Sequence, residues 1–334
     1  MLKVSFTGAP EHMDRNVGYG EASYHIFEQF KKNDIECLVK SDKANIGISF
    51  IQPDKYTFYK DQYKIGYTPW ESTGIFPNWK KPLNNDINEL WTTSEWCADM
   101  FAKHTNKPIF VYQHGILDEW IPKKRELNPS RPFRFLHIGE PFFRKDGQMV
   151  VDAFVNLFGD DPNYELILKC TGMNTTRIYD KETGHIKGSP GAFYPNIKTI
   201  ESMLSTEQIN GLYDLCDVFI YPSWGEGFGF NPLQAMAKGI PAISTYEWAP
   251  YAKYITAPVE STLVSSPWPT THPGMMMKPD YSQLKFYMKD IAMNYEDYSD
   301  IAYKNSFLIH RDFNWNKVSK PAVKRLKEIQ KSNF

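Results

Sequence analysis

The chain has 334 residues, more than one typical domain holds, and this length favours two domains of about 150 residues each. Its hydrophobic and charged fractions, 42% and 23%, are those of a globular protein and exclude a disordered or fibrous chain. The net charge of −1 supplies no overall field that would attract an anionic polymer, which argues against a dedicated DNA-binding protein.

The cysteines and the apolar segments bear on the compartment. The four cysteines stand far apart without a CxxC pair, so the sequence predicts neither a zinc site nor a disulfide framework. No segment approaches the ~18 consecutive apolar residues of a membrane span, and the first ten residues, MLKVSFTGAP, lack the apolar segment of a signal peptide. We therefore expect a cytoplasmic protein with no transmembrane segment.

The first half alternates predicted strands and helices. Leu2–Phe6 predicts a buried strand, followed by a turn-rich loop from Thr7 to Gly20 and a helix with apolar residues at helical spacing. Further strands are predicted at Ile35–Val39, Ile46–Phe50, Lys64–Tyr67 and Ile109–Tyr112. This alternation predicts a parallel sheet with helices on its faces.

The pattern breaks between Gln113 and Pro132, where proline and charged residues are frequent. We place the domain boundary there, with an N-terminal domain at residues 1–122, a linker at 123–132 and a second domain at 133–312. Residues 313–334 carry apolar positions at helical spacing among lysines, which predicts a final amphipathic helix that can return to the first domain.

The second half repeats the alternation. Strands are predicted at Phe133–Ile138, Glu165–Lys169, Val218–Tyr221 and Ile240–Ser244, and helices at Gln148–Phe158, Thr206–Leu215 and Pro232–Ala237. Ser205 and Gln208 indicate a capping box at the second of these helices. Pro, Ser, Thr and Met dominate between Thr262 and Tyr281, which favours a long surface loop.

Both halves contain a strand, a glycine-rich turn and a helix N-terminus, an arrangement that presents backbone N–H groups to an anion. The turn in the first half is Gly18-Tyr19-Gly20. Glycines there would let a phosphate approach the backbone, although a purely structural turn fits the same residues.

The turn in the second half is more specific. It runs Gly225-Glu226-Gly227-Phe228-Gly229-Phe230-Asn231, directly after one predicted strand and directly before a helix with Pro232 in its first turn. Three glycines around one acid are typical of a binding loop. Glu226 can accept hydrogen bonds from sugar hydroxyls while the N–H groups of the loop face a diphosphate.

This segment, YPSWGEGFGFNPLQAMAKGIPAIS, resembles the donor-binding signature of glycosyltransferase family 4. The resemblance implies the α/β GT-B fold, in which two Rossmann-like domains place parallel sheets on either side of a cleft. It also implies that Glu226 contacts the donor sugar and that the position of Gln234 holds the ribose. The family has Glu at that position, and Gln donates as well as accepts hydrogen bonds.

Two further segments carry the resemblance. FLHIGEPFFRKDGQ resembles the opening strand and phosphate loop of the family's second domain, where Glu140 replaces the usual Arg and Lys145 matches the usual Lys. The resemblance implies that Lys145, with Arg144 as a substitute cation, neutralises the leaving diphosphate, and exposed surface cations are the alternative.

The segment YTPWESTGIFPNW resembles a first-domain variant of the family. It implies that Glu71 touches the donor sugar or orients the acceptor hydroxyl, while a structural role for Trp70 and Glu71 in holding the loop is the alternative. His114 fits either a cleft residue or a hydrogen-bonded hinge histidine.

The resemblance implies a retaining glycosyltransferase that moves a sugar from a UDP- or GDP-sugar to an acceptor hydroxyl. No cluster of acids suggests a metal-bound diphosphate, so we expect activity without a metal or another cofactor. The run FLHIGEPFFRKDGQMVVDAF is similar to glycosyltransferases encoded by bacteriophages, which adds modified DNA bases to glycans and proteins as acceptors. A GT-B nucleotide-sugar epimerase and a non-catalytic nucleotide-sugar-binding protein are the alternatives.

Overall fold

The computed structural model describes residues 2–11, 18–139, 143–170 and 194–334. Its first half forms a six-stranded parallel sheet in the order β2-β1-β3-β4-β5-β6. The strands are β1 (Leu2–Gly8), β2 (Ile35–Val39), β3 (Ile46–Phe50), β4 (Tyr63–Tyr67), β5 (Glu89–Thr92) and β6 (Ile109–Val111). Helices α1 (Gly18–Lys31) and α2 (Glu95–Phe101) belong to the same half.

The second half forms another six-stranded parallel sheet, in the order β12-β11-β10-β7-β8-β9. Its strands are β7 (Phe133–Ile138), β8 (Tyr164–Lys169), β9 (Ile197–Ile200), β10 (Val218–Tyr221), β11 (Ala242–Thr245) and β12 (Ala257–Val259). Helices α3 (Gly147–Phe158), α4 (Thr206–Asp214) and α5 (Phe230–Ala237) lie between them in sequence. The predicted fold class, two parallel sheets with helices, is confirmed.

Strand order fixes where a ligand can bind. In the first sheet the chain reverses its direction of progress between β1 and β3, and in the second sheet between β7 and β10. Loops that leave adjacent strands at such a reversal diverge to opposite faces of the sheet and leave a crevice at the carboxyl ends. The predicted binding loops follow β1 and β10, so the topology puts both of them at a crevice.

The C-terminal elements complete the molecule. The remaining elements are a hairpin of β13 (Ser261–Ser265) and β14 (Met275–Pro279), followed by helices α6 (Tyr281–Met293), α7 (Tyr295–Phe313) and α8 (Trp315–Asn333). Helix α7 packs on α5, whereas α8 packs on α1 and adds Trp315, Leu326 and Ile329 to the core of the first sheet. In the described ranges no helix is long and apolar enough to cross a membrane.

Two local predictions are wrong. Gly18, Tyr19 and Gly20 form the first turn of α1 instead of a turn before it, because the helix begins at Gly18. The segment from 262 to 281 is not a long loop: it contains most of the antiparallel hairpin, and its register pairs Ser265 with Met275. Its composition hides the strands, yet Met276 is fully buried and anchors β14 to the molecule.

Candidate active site

A cavity of about 680 Å³ lies between the carboxyl ends of the two sheets. It is lined by thirteen of the residues that the sequence singled out, namely Gly18, Tyr19, Glu71, His114, Arg144, Lys145, Glu226, Gly227, Phe228, Gly229, Phe230, Asn231 and Gln234. Gly20 does not line it, and Trp70 packs behind the wall against Trp79, with ring centroids 4.4 Å apart. Glu140 lies outside the described residues.

Glu226 is the acid at the centre of the loop between β10 and α5, and it is only 7% exposed. The hydroxyls of Tyr221 and Ser223 donate to its Oε1 at 2.7 and 3.0 Å, and Arg144 pairs with the same oxygen. Burial alone would raise the pKa of Glu226, but the cations of Arg144 and Lys145 and the two hydroxyls hold the pKa below its usual value. The carboxylate is therefore ionised and fixed in position.

Arg144 joins the two domains at this point. Its Nη1 donates to the Gly225 carbonyl at 2.8 Å and pairs with Glu226, while its Nη2 lies 3.2 Å from Oε1 of Glu71 in the first domain. Burial opposes its charge, but the two carboxylates outweigh burial and raise the pKa of Arg144. The guanidinium proposed as a diphosphate cation thus already has two anionic partners in this structure.

Glu71 is the first-domain member of this group. Burial raises the pKa of Glu71 and the neighbouring Glu226 carboxylate raises it further, although Arg144 opposes both effects. His272, on the loop of the β13–β14 hairpin, lies 3.8 Å from Oε2 of Glu71 and stacks on Trp70 at 5.6 Å. Sequence analysis missed His272, because its partners Glu71 and Trp70 are about two hundred residues away.

The three glycines of the second loop have separate reasons to be glycine. A Cβ on Gly225 would collide with the carbonyl of Glu71, and a Cβ on Gly227 would collide with Pro69. Gly229 has a φ of 81° and forms the N-cap of α5, a conformation that side chains disfavour. The first two glycines thus allow the loop to lie against the first domain, where Thr93 donates a hydrogen bond to the carbonyl of Gly227.

His114 lines the cavity from the first domain within an aromatic environment. Its ring stacks on Phe230 at 5.1 Å and lies 5.0 Å from Phe228, and neither ring nitrogen has a hydrogen-bond partner in the described part of the chain. Burial, helped by His25, lowers its pKa to about 3. A neutral imidazole with two unused polar atoms can exchange hydrogen bonds with a ligand hydroxyl.

The N-termini of two helices meet across the cavity. Gly18 opens α1 and Phe230 opens α5, and a Cβ on Gly18 would lie 3.9 Å from Cδ2 of Phe230. Lys145 lines the same space. Free backbone N–H groups, two helix dipoles and an ammonium in one cavity can together stabilise a diphosphate.

The other end of the cavity was missed by sequence reasoning. It is lined by Trp120, Lys169, Met203, Leu204, Thr206 and Ile209, and Gln234 lines the same cavity. Lys169 is the last residue of the strand YELILK, and burial lowers its pKa. A lysine at the end of an apolar strand was the signal from which this part of the cavity could have been predicted. Among the described residues no group of three His, Cys, Asp or Glu could hold a metal ion.

Comparison with known proteins agrees with this geometry. Residues 132–265 match a family model described as glycosyl transferases group 1. The fold is similar to a sucrose-phosphate synthase from Thermosynechococcus elongatus, with a TM-score of 0.71 and 11% identity over 99% of this chain and 100% of that one. It is also similar to a glycosyltransferase from Rickettsia africae, with a TM-score of 0.66 and 13% identity over 99% of both chains.

A third similar structure is WaaG, a glycosyltransferase involved in lipopolysaccharide biosynthesis, with a TM-score of 0.63 and 12% identity over 97% of this chain and 99% of that one. No curated protein matches the chain. The two parallel sheets with a cavity between them define the GT-B fold. The second half matches the group 1 glycosyl transferases over residues 132–265, and the GT-B fold that the resemblance implied is confirmed. The comparisons do not support a bacteriophage origin.

Proposed function

We propose that this protein transfers a sugar, with retention of configuration, from a UDP- or GDP-sugar to a hydroxyl of a glycan, a protein or a modified DNA base. One observation carries the proposal: the buried carboxylate Glu226 lies in the same cavity as Lys145 and the N-termini of α1 and α5. A sugar donor presents hydroxyls and a diphosphate side by side. This cavity offers a fixed hydrogen-bond acceptor, the Glu226 carboxylate, beside a region that can bind an anion.

The lining residues support one orientation of the donor. The nucleobase lies against Trp120, Met203 and Leu204, and Gln234 hydrogen-bonds the ribose. The diphosphate lies at Lys145 and the helix N-termini, and the sugar lies between Glu226 and His114. The acceptor approaches from the first domain, which we take to span residues 1–122, with residues 123–132 as the linker and 133–312 as the donor domain.

The proposed reaction needs no metal and no protein nucleophile. The bond from the anomeric carbon to the diphosphate oxygen breaks, and a bond from that carbon to the acceptor oxygen forms on the same face of the sugar. The departing phosphate oxygen takes the acceptor proton. Lys145 and the helix N-termini stabilise the developing negative charge, while Arg144 keeps Glu226 ionised and oriented.

A donor screen by thermal shift tests the proposal. Binding to the folded state stabilises it by about 2.7 kcal/mol when the ligand is at a hundred times its Kd, so one UDP- or GDP-sugar should raise Tm clearly in the presence of EDTA. Transfer is then followed with that labelled donor and an acceptor panel. Donor epimerisation without transfer, or the absence of any shift across the screen, would contradict the proposal.

Glu226→Gln and Glu207→Gln are the matched pair for the site. Glu207 is exposed on α4 and does not line the cavity, so the same chemical change there leaves the contacts of Glu226 intact. Loss of one hydrogen bond to a charged group should lower kcat/KM by about tenfold to a hundredfold in the Glu226 variant. The Glu207 variant should keep the parent value.

A further inference from the structure

A second cavity, of about 770 Å³, lies where the chain crosses between the domains. Its walls are the outer face of α1 and the two crossing segments, residues 116–119 and 314–316. The crossings touch: the Ile116 N–H donates to the Phe313 carbonyl at 2.8 Å, and a Cβ on Gly115 would lie 2.8 Å from Cα of Trp315. We call this space the hinge cavity.

The hinge cavity contains a buried polar group whose partner is missing. Gln29 is 7% exposed and lines the cavity, and its Oε1 accepts no hydrogen bond in the described part of the chain. Leaving a buried acceptor unsatisfied costs about 1–3 kcal/mol. A ligand hydroxyl in the cavity would remove that cost, and the amide can also donate to the same ligand.

The remaining lining defines the ligand chemistry. Three carboxylates, those of Glu28, Asp118 and Glu119, face one ammonium, that of Lys32, which disfavours phosphate and other anions. The amides of Asn33, Asn314 and Asn316 line the same space, and so does Tyr24, which is 36% exposed. Amides and carboxylates bind hydroxyls, and an aromatic ring packs against the C–H groups of a sugar ring.

From these contacts we propose that the hinge cavity binds a neutral saccharide and is coupled to the donor site. Pairs of contacting side chains form the wall between the two cavities. His25 lines the hinge cavity and lies 2.9 Å from Oε1 of Glu21, which lines the donor cavity. Trp315 lines the hinge cavity and lies 5.8 Å, centroid to centroid, from His114 on the donor side.

The coupling follows from position. A ligand in the hinge cavity touches α1 and both crossings, so it favours some relative arrangements of the domains over others, and the donor site is built from both domains. This coupling rests on the proposed function, whereas binding in the hinge cavity does not. The two can therefore fail separately.

Saccharide binding is measured by saturation-transfer NMR on the full chain without nucleotide. The probes are glucose, N-acetylglucosamine, galactose and sucrose, with glucose 6-phosphate as the anionic counterpart of glucose. We expect at least one neutral sugar to bind and the phosphate to bind more weakly than glucose. Failure of every neutral probe, or tighter binding of the phosphate, overturns the proposal.

Asn316→Trp and Lys320→Trp locate the site. Both residues are exposed and one turn apart on α8, but only Asn316 lines the hinge cavity. Asn316→Trp should abolish the saccharide signal by filling the cavity, and Lys320→Trp should keep it. Gln29→Leu should weaken binding by about tenfold. Unchanged binding in Asn316→Trp places the saccharide elsewhere and overturns the assignment.

The last measurement is the Kd of the donor nucleotide with and without a saturating hinge sugar. A change of about fivefold or more supports the coupling, and an unchanged Kd overturns it. Incubation with labelled donor then identifies the source of the ligand. A hinge sugar that becomes glycosylated is part of the acceptor, and one that stays unmodified is a separate effector.

Discussion

Arg144 decides whether two acidic side chains can share one partly buried site. Glu226 comes from the second domain and Glu71 from the first, and the guanidinium reaches both. The pKa of Glu71 is raised and the pKa of Glu226 is lowered. Positive charge and hydrogen bonds therefore compensate the burial of Glu226 more fully than the burial of Glu71. The ionisation of Glu226 thus depends on Arg144, a residue close to it in space but 82 positions away in sequence.

Replacing this cation should destabilise the fold in a pH-dependent way. Arg144→Met removes the nearest counter-ion of both carboxylates, leaving Lys145 as the cation beside them, and should cost about 3 kcal/mol of unfolding free energy at neutral pH. Loss of the guanidinium should raise the pKa of each acid, so the destabilisation is present at neutral pH and is relieved as the pH falls and the acids protonate. Urea denaturation at about pH 7.5 and pH 5 measures the loss of unfolding free energy at neutral pH and its recovery at lower pH.

The control is the double variant Arg144→Met/Glu226→Gln. It removes one of the two uncompensated charges, so it should recover part of the stability lost by Arg144→Met at neutral pH. Equal stability of Arg144→Met and the parent chain at neutral pH would show that the guanidinium does not balance these acids.

His114 gives a second residue-scale prediction. Its folded-state pKa of about 3 lies below the usual 6.5, so the unfolded chain binds a proton that the folded chain does not. The stability contributed by the neutral ring is complete above 6.5 and is lost as the pH falls below it, by about 2 kcal/mol at pH 5. His114→Phe should reduce the acid destabilisation by that amount in urea titrations. His137, with a pKa of about 4, stays in the variant, so some pH dependence should persist.

At the scale of elements, the loop between β10 and α5 is an interdomain contact as well as a binding loop. Gly227 packs directly on Pro69, and its carbonyl accepts from Thr93 and from the Cys97 thiol. Its position ties the sugar-binding acid to the first domain. A change at this glycine should therefore alter the cleft without touching the acid itself.

Gly227→Ala and Gly211→Ala form a matched pair. The methyl group at Gly227 collides with Pro69, and overpacking of this kind costs about 1–3 kcal/mol. Gly211 lies inside α4 with open space around it, so alanine there should stabilise the fold by roughly 0.5–1 kcal/mol. The Tm of thermal unfolding and the rate of donor turnover should fall in Gly227→Ala and not in Gly211→Ala. Unchanged Tm and turnover in Gly227→Ala would show that the loop can shift away from Pro69 without cost.

Local signals explain which elements the sequence could predict. The apolar strands β7 and β10 and the glycine-rich loop after β10 are continuous in sequence, so their pattern is readable. The capping box at Ser205 is confirmed for the same reason. The hairpin of β13 and β14 was missed, because methionine and proline do not indicate strands and its pairing is set by the first-domain loop it touches.

The residues of the candidate site also divide into those that a local sequence pattern predicts and those that it does not. Glu226 could be identified from its own loop, whereas its pairing with Arg144 and the contact of Arg144 with Glu71 join residues 82 and 73 positions apart. No local pattern specifies such pairs, because they depend on how the two domains meet. His114 could be named as a cleft candidate, but its unpartnered nitrogens follow only from the aromatic rings packed around it.

At the scale of the whole molecule, the hairpin of the second domain holds the first domain closed. The Thr73 N–H donates to the Met275 carbonyl at 3.0 Å, the Met275 N–H donates to Oγ1 of Thr73 at 2.8 Å, and the Gly74 N–H donates to the Pro273 carbonyl at 3.0 Å. These bonds lie next to Glu71, at the mouth of the donor cavity. The hairpin therefore helps to set the distance between the two domains beside Glu71.

Shortening the hairpin should open the molecule. Ser265 pairs with Met275, so residues 266–274 can be replaced by Asn-Gly, a two-residue turn that suits a hairpin. The variant keeps both strands but loses the contacts of Pro273 and His272 with the first domain. Small-angle scattering should show a larger radius of gyration without ligand, and KM for the donor should rise more than kcat falls, because closing the cleft then draws on binding energy.

The control for this variant changes the same hairpin without touching the first domain. Thr270 and Thr271 are exposed at its tip, and replacing both with alanine leaves the contacts of Thr73 and Gly74 intact. This variant should scatter like the parent chain and keep its KM. An unchanged radius of gyration in the shortened hairpin would show that closure is held by the contacts that the variant keeps, which are the hydrogen bonds of Thr73 with Met275 and the contacts of Arg144 and Gly227.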